Sequence, residues 1–269
     1  MRCVPRFLCL WRGAWLAALL FANAVTAAAA AFDAAAIMAK ADRMNRPRYE
    51  IARLRMEMTG GDTGPQVREL VMHAVNDGGA RTSLFKFTAP ASLRGVGTLV
   101  IEEEGKSNAI WHYVPATRNV RRIAGEHRQN RFMGTEFTFE DFEGLKLSKY
   151  AFSGIGTERC REAATCYVVE GRASDPEERA ASGYGRKVFW IDRESYAIVK
   201  IELFDAAGAL LKTFEAQELR QLGEYWRPRR QTMTNVRNGR VTTMIELERT
   251  VDEPFDGYYI GQRYLRSDQ

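Results

Sequence analysis

Residues 110–147, IWHYVPATRNVRRIAGEHRQNRFMGTEFTFEDFEGLKL, decide how the remainder of the chain reads. Residues 110–115 make an aromatic-rich strand that Pro115 stops, because proline has no amide hydrogen to offer a ladder. Residues 117–123 make a second short strand loaded with Arg118, Arg121 and Arg122. A polar, arginine-bearing loop follows over 125–134. Residues 135–145 then set Phe137, Phe139 and Phe142 among Glu136, Glu140, Asp141 and Glu143. An aromatic wall, a basic rim and an acidic-aromatic flap are the parts of a binding protein. None of them is a catalytic device.

Outward from this stretch the text is β structure on both sides. Residues 49–59 alternate, with Ala52, Leu54, Met56 and Met58 facing one way and Arg53, Arg55 and Glu57 the other. A turn cluster at 60–65 leads to a second strand at 67–76, and Asp77-Gly78-Gly79 turns the chain again. Residues 81–88 put Phe85 and Phe87 on one face, and 96–103 set Leu99 and Ile101 opposite Val100. Downstream, 149–154, 166–172, 186–192 and 197–204 continue the pattern, and 210–220 reads as strand or helix, with the alternation around Phe214 favouring strand. Residues 229–237 and 240–249 flank Asn238-Gly239, a strong hairpin signal because both residues tolerate positive φ. Residues 263–265 close the chain after Pro254 and Gly257. Ten or eleven short strands at near-regular spacing, with no βαβ rhythm, predict a mainly β antiparallel sheet curled into a barrel or half-barrel. An open sheet of this size must be closed or covered, since bare edges recruit other chains.

One long helix stands out, over 32–45. Asp33 can cap its start, Ile37, Ala41 and Met44 (with Met38) recur at helical spacing, and Pro47 forbids continuation. It is expected to pack on the sheet or to cover an opening in it. Before it, Arg2, Arg6 and Arg12 form a basic head, residues 13–24 are apolar, and Val25-Thr26-Ala27 has the small-x-small pattern of a signal-peptidase site. The apolar run falls short of the ~20 residues that span a bilayer as a helix. Residues 1–27 therefore read as a cleaved secretory signal peptide, residues 28–269 as a single domain, and the destination as the periplasm. The formal charge is +5, and the three leader arginines leave with the signal, so the remainder is close to neutral. That is not the footprint of a nucleic-acid binder. Only Cys160 and Cys166 remain outside the leader, and in an oxidising compartment such a close pair is expected to form a disulfide across a hairpin end.

No catalytic or metal constellation emerges. His73, His112 and His127 are scattered, and the chain has no G-x-S-x-G, no G-x-x-x-x-G-K and no H-E-x-x-H. Glu140, Asp141 and Glu143 resemble paired carboxylates less than first-turn acids meeting a helix dipole. No cofactor and no metal is expected. The arginines admit two readings. Those at 118–131, and a second group of Arg220, Arg227, Arg229, Arg230, Arg237 and Arg240, form either solvated strand faces or a rim for anionic head groups. The apolar residues Phe85, Phe87, Leu99, Trp111, Tyr113, Phe137 and Phe189 either fill a core or line a cavity, since both walls show the same alternation. Adjacent strand residues point to opposite faces. Arg121 is accordingly expected to be structural, paired with Glu140 or Asp141, and Arg122 to stand at the cavity mouth.

Trp111-x-Tyr113-x-Pro115, then Arg118-x-x-Arg121-Arg122-Ile123, then Phe132-x-Gly134-Thr135-x-Phe137 leading into Glu140-Asp141, resembles the signature of the outer-membrane lipoprotein-sorting-like proteins. These are relatives of the periplasmic lipoprotein carrier of the Lol pathway, and the resemblance runs from near Ile37 to the end. It implies an incomplete antiparallel barrel whose open side is plugged by helices. Residues 32–45 would be a lid helix and a short helix around 137–145 a second cover, over a cavity for acyl chains. It also implies a lipid or an acylated protein as ligand and an RND-type exporter as partner, with the chain itself monomeric. A sensor or regulatory module acting through protein contacts is the alternative on the same architecture.

Overall fold

The computed structural model of the protein describes residues 32–61, 64–78, 80–102, 108–161 and 164–267. The expected leader lies outside them. In chain order the elements are helix α1 (Ala34–Met44), strands β1 (Tyr49–Thr59), β2 (Gln66–Asp77), β3 (Ala80–Ala89), β4 (Gly97–Ile101), β5 (Ala109–Val114) and β6 (Asn119–Ile123). Strands β7 (Tyr150–Arg161) and β8 (Ala164–Ala173) come next, then helix α2 (Pro176–Ala181). The chain continues with β9 (Arg186–Asp192), β10 (Ile198–Phe204), β11 (Leu210–Leu222), β12 (Tyr225–Asn235), β13 (Val241–Val251) and helix α3 (Gln262–Leu265).

The thirteen strands form one antiparallel sheet in the order β6-β5-β4-β3-β2-β1-β13-β12-β11-β10-β9-β8-β7. Two meanders thus meet where β1 pairs with β13, and β6 and β7 are the edges, with no further strand beside them among the described residues. The architecture is the expected half-barrel. It has thirteen strands among the described residues where ten or eleven were expected, and residues 263–265, read as a closing strand, lie instead in the short helix α3. The β12–β13 hairpin forms at Asn238-Gly239 with Gly239 at φ 69°, although its loop is longer than two residues, closed by the Asn235 amide on the Arg240 carbonyl at 2.8 Å. Pro228 is tolerated inside β12 because pairing with β13 begins only at Arg230, so no amide is needed there. Cys160 and Cys166 are joined in a disulfide at the end of the β7–β8 hairpin, with Cα atoms 5.7 Å apart.

The concave face buries the main core, including Leu54, Met72, Phe85, Met233 and Met244. Residues 124–149, which link the two free edges, lie inside it as a series of 3-10 turns that bury Phe132, Phe137 and Phe139. The short covering helix expected around 137–145 is reduced to one such turn, Glu140–Phe142. Its geometry is set by Thr138, whose amide and hydroxyl both donate to Asp141 Oδ2 (2.7 and 2.9 Å) and hold the chain in a tight reverse turn. Helix α1 starts as the sequence predicts, with Asp33 accepting from the Ala36 amide at 3.0 Å. Its Met38 and Ala41 pack on Val169, Phe189 and Ile191 of β8 and β9.

The convex face has a smaller cover. The chain end is helical, and Leu265 sits fully buried against Leu84, Leu99 and Tyr113. Gly97 makes room for it, since a Cβ there would lie 2.8 Å from Leu265 Cδ1. Lys86, itself buried, donates to the carbonyls of Tyr264 and Ser267, both at 2.6 Å. Leu265→Ala should therefore lower the unfolding free energy by about 2–5 kcal/mol, read from urea melts.

Of the two sheet histidines, His73 is buried and His112 half-buried. His73 is enclosed by Phe255, Tyr259 and Tyr264, and His112 shares a 2.8 Å hydrogen bond with Thr98 Oγ1. Burial pushes each imidazole down to about 4. Unfolded histidines protonate near ~6.5, so the stability contributed by the neutral rings is complete above that pH and is lost as pH falls towards 4. The urea midpoint should drop across this window, and less steeply in His73→Phe.

Candidate binding cavity

Between the curved sheet, α1 and residues 124–149 lies a cavity of about 460 Å³, a size typical of small-molecule sites, which run roughly 300–1,000 Å³. Its apolar wall includes Met38, Leu54, Met72, Phe85, Phe137 and Phe189. A recess of about 300 Å³ adjoins it beneath the C-terminal end of α1, sharing Asp42, Asn45, Arg81 and Arg227 and extending to Arg46 and Glu102. Alternation along the strands explains the wall. Each strand of the half-barrel turns every second side chain inward, and where neither α1 nor the plug fills the interior, those side chains border space.

Two charged groups interrupt this apolar surface. The first is centred on Glu50, 2% exposed. Arg227 Nε meets its Oε1 at 2.9 Å, Arg81 Nη2 meets Oε2 at 3.1 Å, and Arg249 joins from β13. Arg249 also pairs with Glu246 at 2.6 Å, which in turn holds Arg220. Burial alone would raise the Glu50 carboxyl, but Arg227, Arg81 and Arg249 outweigh it and hold the carboxyl at about 2. Arg227 also donates to the Asn45 carbonyl at 2.7 Å, tying this group to the end of the lid helix.

The second group lies on the plug. Glu140 accepts from Ser182 Oγ at 2.7 Å, Lys187 Nζ at 2.8 Å and the Gly183 amide at 2.9 Å. Arg128 donates to Glu143 at 2.6 Å and grips Glu178 through two bonds of 3.1 Å. Tyr184 OH donates to Asp141 at 3.0 Å, and Lys212 reaches the Glu136 carbonyl at 2.7 Å. Burial would lower the Lys187 ammonium, yet Glu140, Tyr150 and Asp141 outweigh it and hold it above its ordinary value. Burial raises Asp141, which Lys212 offsets only in part. Glu140 thus ties the plug to β9, Arg128 ties it to α2 through Glu178, and Lys212 ties it to β11.

The structure separates the residues that the sequence grouped together. Phe85, Phe137 and Phe189 border the cavity, while Phe87 stacks on Phe132 within the packed core at 5.6 Å. Leu99, Trp111 and Tyr113 do not reach the cavity. They belong to the convex face, under Tyr264 and Leu265, because Val100, Ile110 and His112 occupy the inward positions of β4 and β5. Arg122 lies opposite Trp111 in the ladder and so shares its outward face, with its guanidinium 5.9 Å from the Trp111 ring. Arg121 is exposed at the free edge, and Glu140 and Asp141 find Lys187 and Tyr184 instead of it. Arg118 is exposed where a 3-10 turn ends in a left-handed residue at φ 48°. Sequence reasoning missed Glu50, Arg81 and Arg249. Glu50 carried a legible signal, since it shares its face with Ala52, Leu54, Met56 and Met58 and is the one charge among them.

A family model with the description "-like: Uncharacterized protein" matches residues 79–267. The chain belongs to that family. No curated protein matches it in sequence. Among solved structures, a domain described as an outer membrane lipoprotein-sorting protein from Vibrio parahaemolyticus is 24% identical, with a TM-score of 0.80 over 87% of this chain and 98% of the other. A DUF1329 family protein from Desulfovibrio piger is 19% identical, with a TM-score of 0.80 over 86% and 97%. A LolA superfamily protein from Nitrosomonas europaea is 18% identical, with a TM-score of 0.65 over 85% and 98%. The fold of the family is therefore that of the lipoprotein-sorting and LolA-superfamily domains, the group whose signature the 111–141 motif resembles.

Glu50→Gln would leave its arginines buried around a neutral amide and should destabilise the protein by about 3–5 kcal/mol. Arg122→Ala, at an exposed outer position, should shift stability by no more than ~0.5 kcal/mol and leave cavity binding unchanged. Urea melts on both variants, with ligand titrations on the second, check this.

Proposed function

We propose that the protein is a periplasmic, non-enzymatic carrier that holds the acyl part of a lipid or lipoprotein in its cavity and moves it between membranes. The observation that carries this reading is the unfilled apolar cavity under a helix and a plug. Apolar burial supplies the drive. Each acyl CH₂ removed from water contributes on the order of 0.8 kcal/mol, before the cost of ordering the ligand. The lipoprotein-sorting description of the Vibrio parahaemolyticus domain agrees with it, as do the secretory leader read from the sequence and the Cys160–Cys166 disulfide. The absence of a free carboxylate pair in the flap favours binding over hydrolysis, since Glu140, Asp141 and Glu143 are each committed to structural partners. An RND-type exporter as partner, and a monomeric state, rest on the sequence resemblance. The exposed Arg118, Arg121 and Arg122 along the free β6 edge support a second reading, a regulatory module that docks through this edge.

Native mass spectrometry of protein taken from its own periplasm should show bound lipid, and the purified protein should bind a fluorescent fatty acid. Ala216 borders the cavity and is buried, so Ala216→Trp should fill the space and abolish that binding with little change in the urea midpoint. Lipid-free protein that binds no acyl probe, but co-purifies stoichiometrically with a protein partner, would replace the carrier reading with the regulatory one.

A further inference from the structure

The charges bordering the cavity do not cancel at the Glu50 end. Arg81, Arg227 and Arg249 border it there against two carboxylates, Glu50 and Asp42, and the Arg220–Glu246 pair behind them is neutral. An excess of positive charge therefore faces an apolar space, where it is unfavourable unless an anion joins it. Donor use points the same way. Arg227 spends Nε, Nη1 and Nη2 on Glu50, the Trp226 carbonyl and the Asn45 carbonyl. Arg81 spends Nε on Ser83 and Nη2 on Glu50, and Arg249 spends Nε on Glu246 and Nη1 on Glu50. Arg81 Nη1 and Arg249 Nη2 have no acceptor among the described residues, although the Arg249 side chain is only 5% exposed and both residues border the cavity. On the plug side Glu140, Asp141, Glu143 and Glu178 are matched by Arg128, Lys146, Lys187 and Lys212, so no excess of positive charge stands there. An anionic head is therefore drawn to the arginine end, where the spare donors lie.

We infer that the cavity selects an acyl ligand with an anionic head, a carboxylate or a phosphate, seated on Arg81 and Arg249 with its chain along Leu54, Phe85 and Phe137. This rests on the carrier reading and narrows it, because the acyl chains of a lipoprotein end in neutral ester and amide groups that leave the spare donors unmatched. The guanidinium fork suits either oxyanion, since two N–H groups meet two oxygens. Phosphate and carboxylate heads thus share one chemistry, and the lipid class that carries it is left to the experiment.

Displacement of a fluorescent fatty acid by chain-matched competitors tests this: palmitate, monopalmitoyl phosphatidate, hexadecanol and a neutral triacylated cysteine amide. The mature protein should favour palmitate or the phosphatidate over hexadecanol by about tenfold or more, and whichever anion binds tighter names the head. Arg81→Gln, which keeps a donor for Glu50, should collapse that ratio towards one, and Arg81→Lys should restore part of it. Equal displacement by hexadecanol and both anions would overturn the head-group assignment while leaving the cavity a lipid site. The triacylated amide competing as well as palmitate would overturn it likewise. If no competitor and no probe binds, the carrier reading itself fails with it. Should Arg81→Gln fail to fold, the wild-type ratio alone decides.

Discussion

An antiparallel sheet that has thirteen strands among the described residues, and whose two edge strands do not pair with each other, sets the terms for everything else in this molecule. Its concave face is apolar and its edges carry unmatched backbone groups, so the opening has to be covered. The chain does this with what connects the edges, residues 124–149, and with α1. A segment that begins at one edge and ends at the other can span the gap without adding a strand. Covering is not the same as filling, however. The phenylalanines of the plug pack tightly around Phe132, while the space between the plug and α1 stays open as the cavity.

Holding irregular backbone inside a half-barrel raises a second difficulty, because 3-10 turns leave polar groups that the sheet cannot pair. The buried ion pairs address it. Glu140 with Lys187 and Arg128 with Glu178 join the plug to β9 and α2, Lys212 reaches its Glu136 carbonyl from β11, and Arg128 with Glu143 ties the plug to itself. Buried pairs of this kind add little net stability over apolar contacts, but removing one partner is strongly unfavourable. They therefore fix where the plug sits. At the lid the contacts are fewer. Arg46 bridges Asp42 and Glu102, and Gly144 passes so close that a Cβ there would collide with the Glu102 carboxylate. The lid, the end of β4 and the plug thus meet at one polar junction beside the recess.

Much of the fold was legible in the sequence because strand alternation and turn chemistry are local. Residues 49–59, the Asn238-Gly239 hairpin and the Asp33 cap each declare themselves within a few positions, and the structure has them in those roles. The covering helix did not survive for an equally local reason, since Thr138 and Asp141 close a tight turn that helix-like spacing of the phenylalanines conceals.

The sequence by itself determined the class of the fold, the cysteine pair and the existence of two alternating faces on each strand. Only the tertiary structure decided which face is which. Trp111 and Tyr113 have the same pattern as cavity residues, yet the C-terminal turn of Tyr264 and Leu265 covers them on the convex side. Period-two alternation specifies that neighbours point apart; it carries no information about what lies above either face, which depends on segments far away in the chain. Charge grouping failed for the same reason. The arginines clustered in sequence at 118–131 disperse across edge, surface and plug, whereas Arg81, Arg227 and Arg249, distant in sequence, converge on Glu50 because β1 pairs with β13 and closes the two meanders into one sheet.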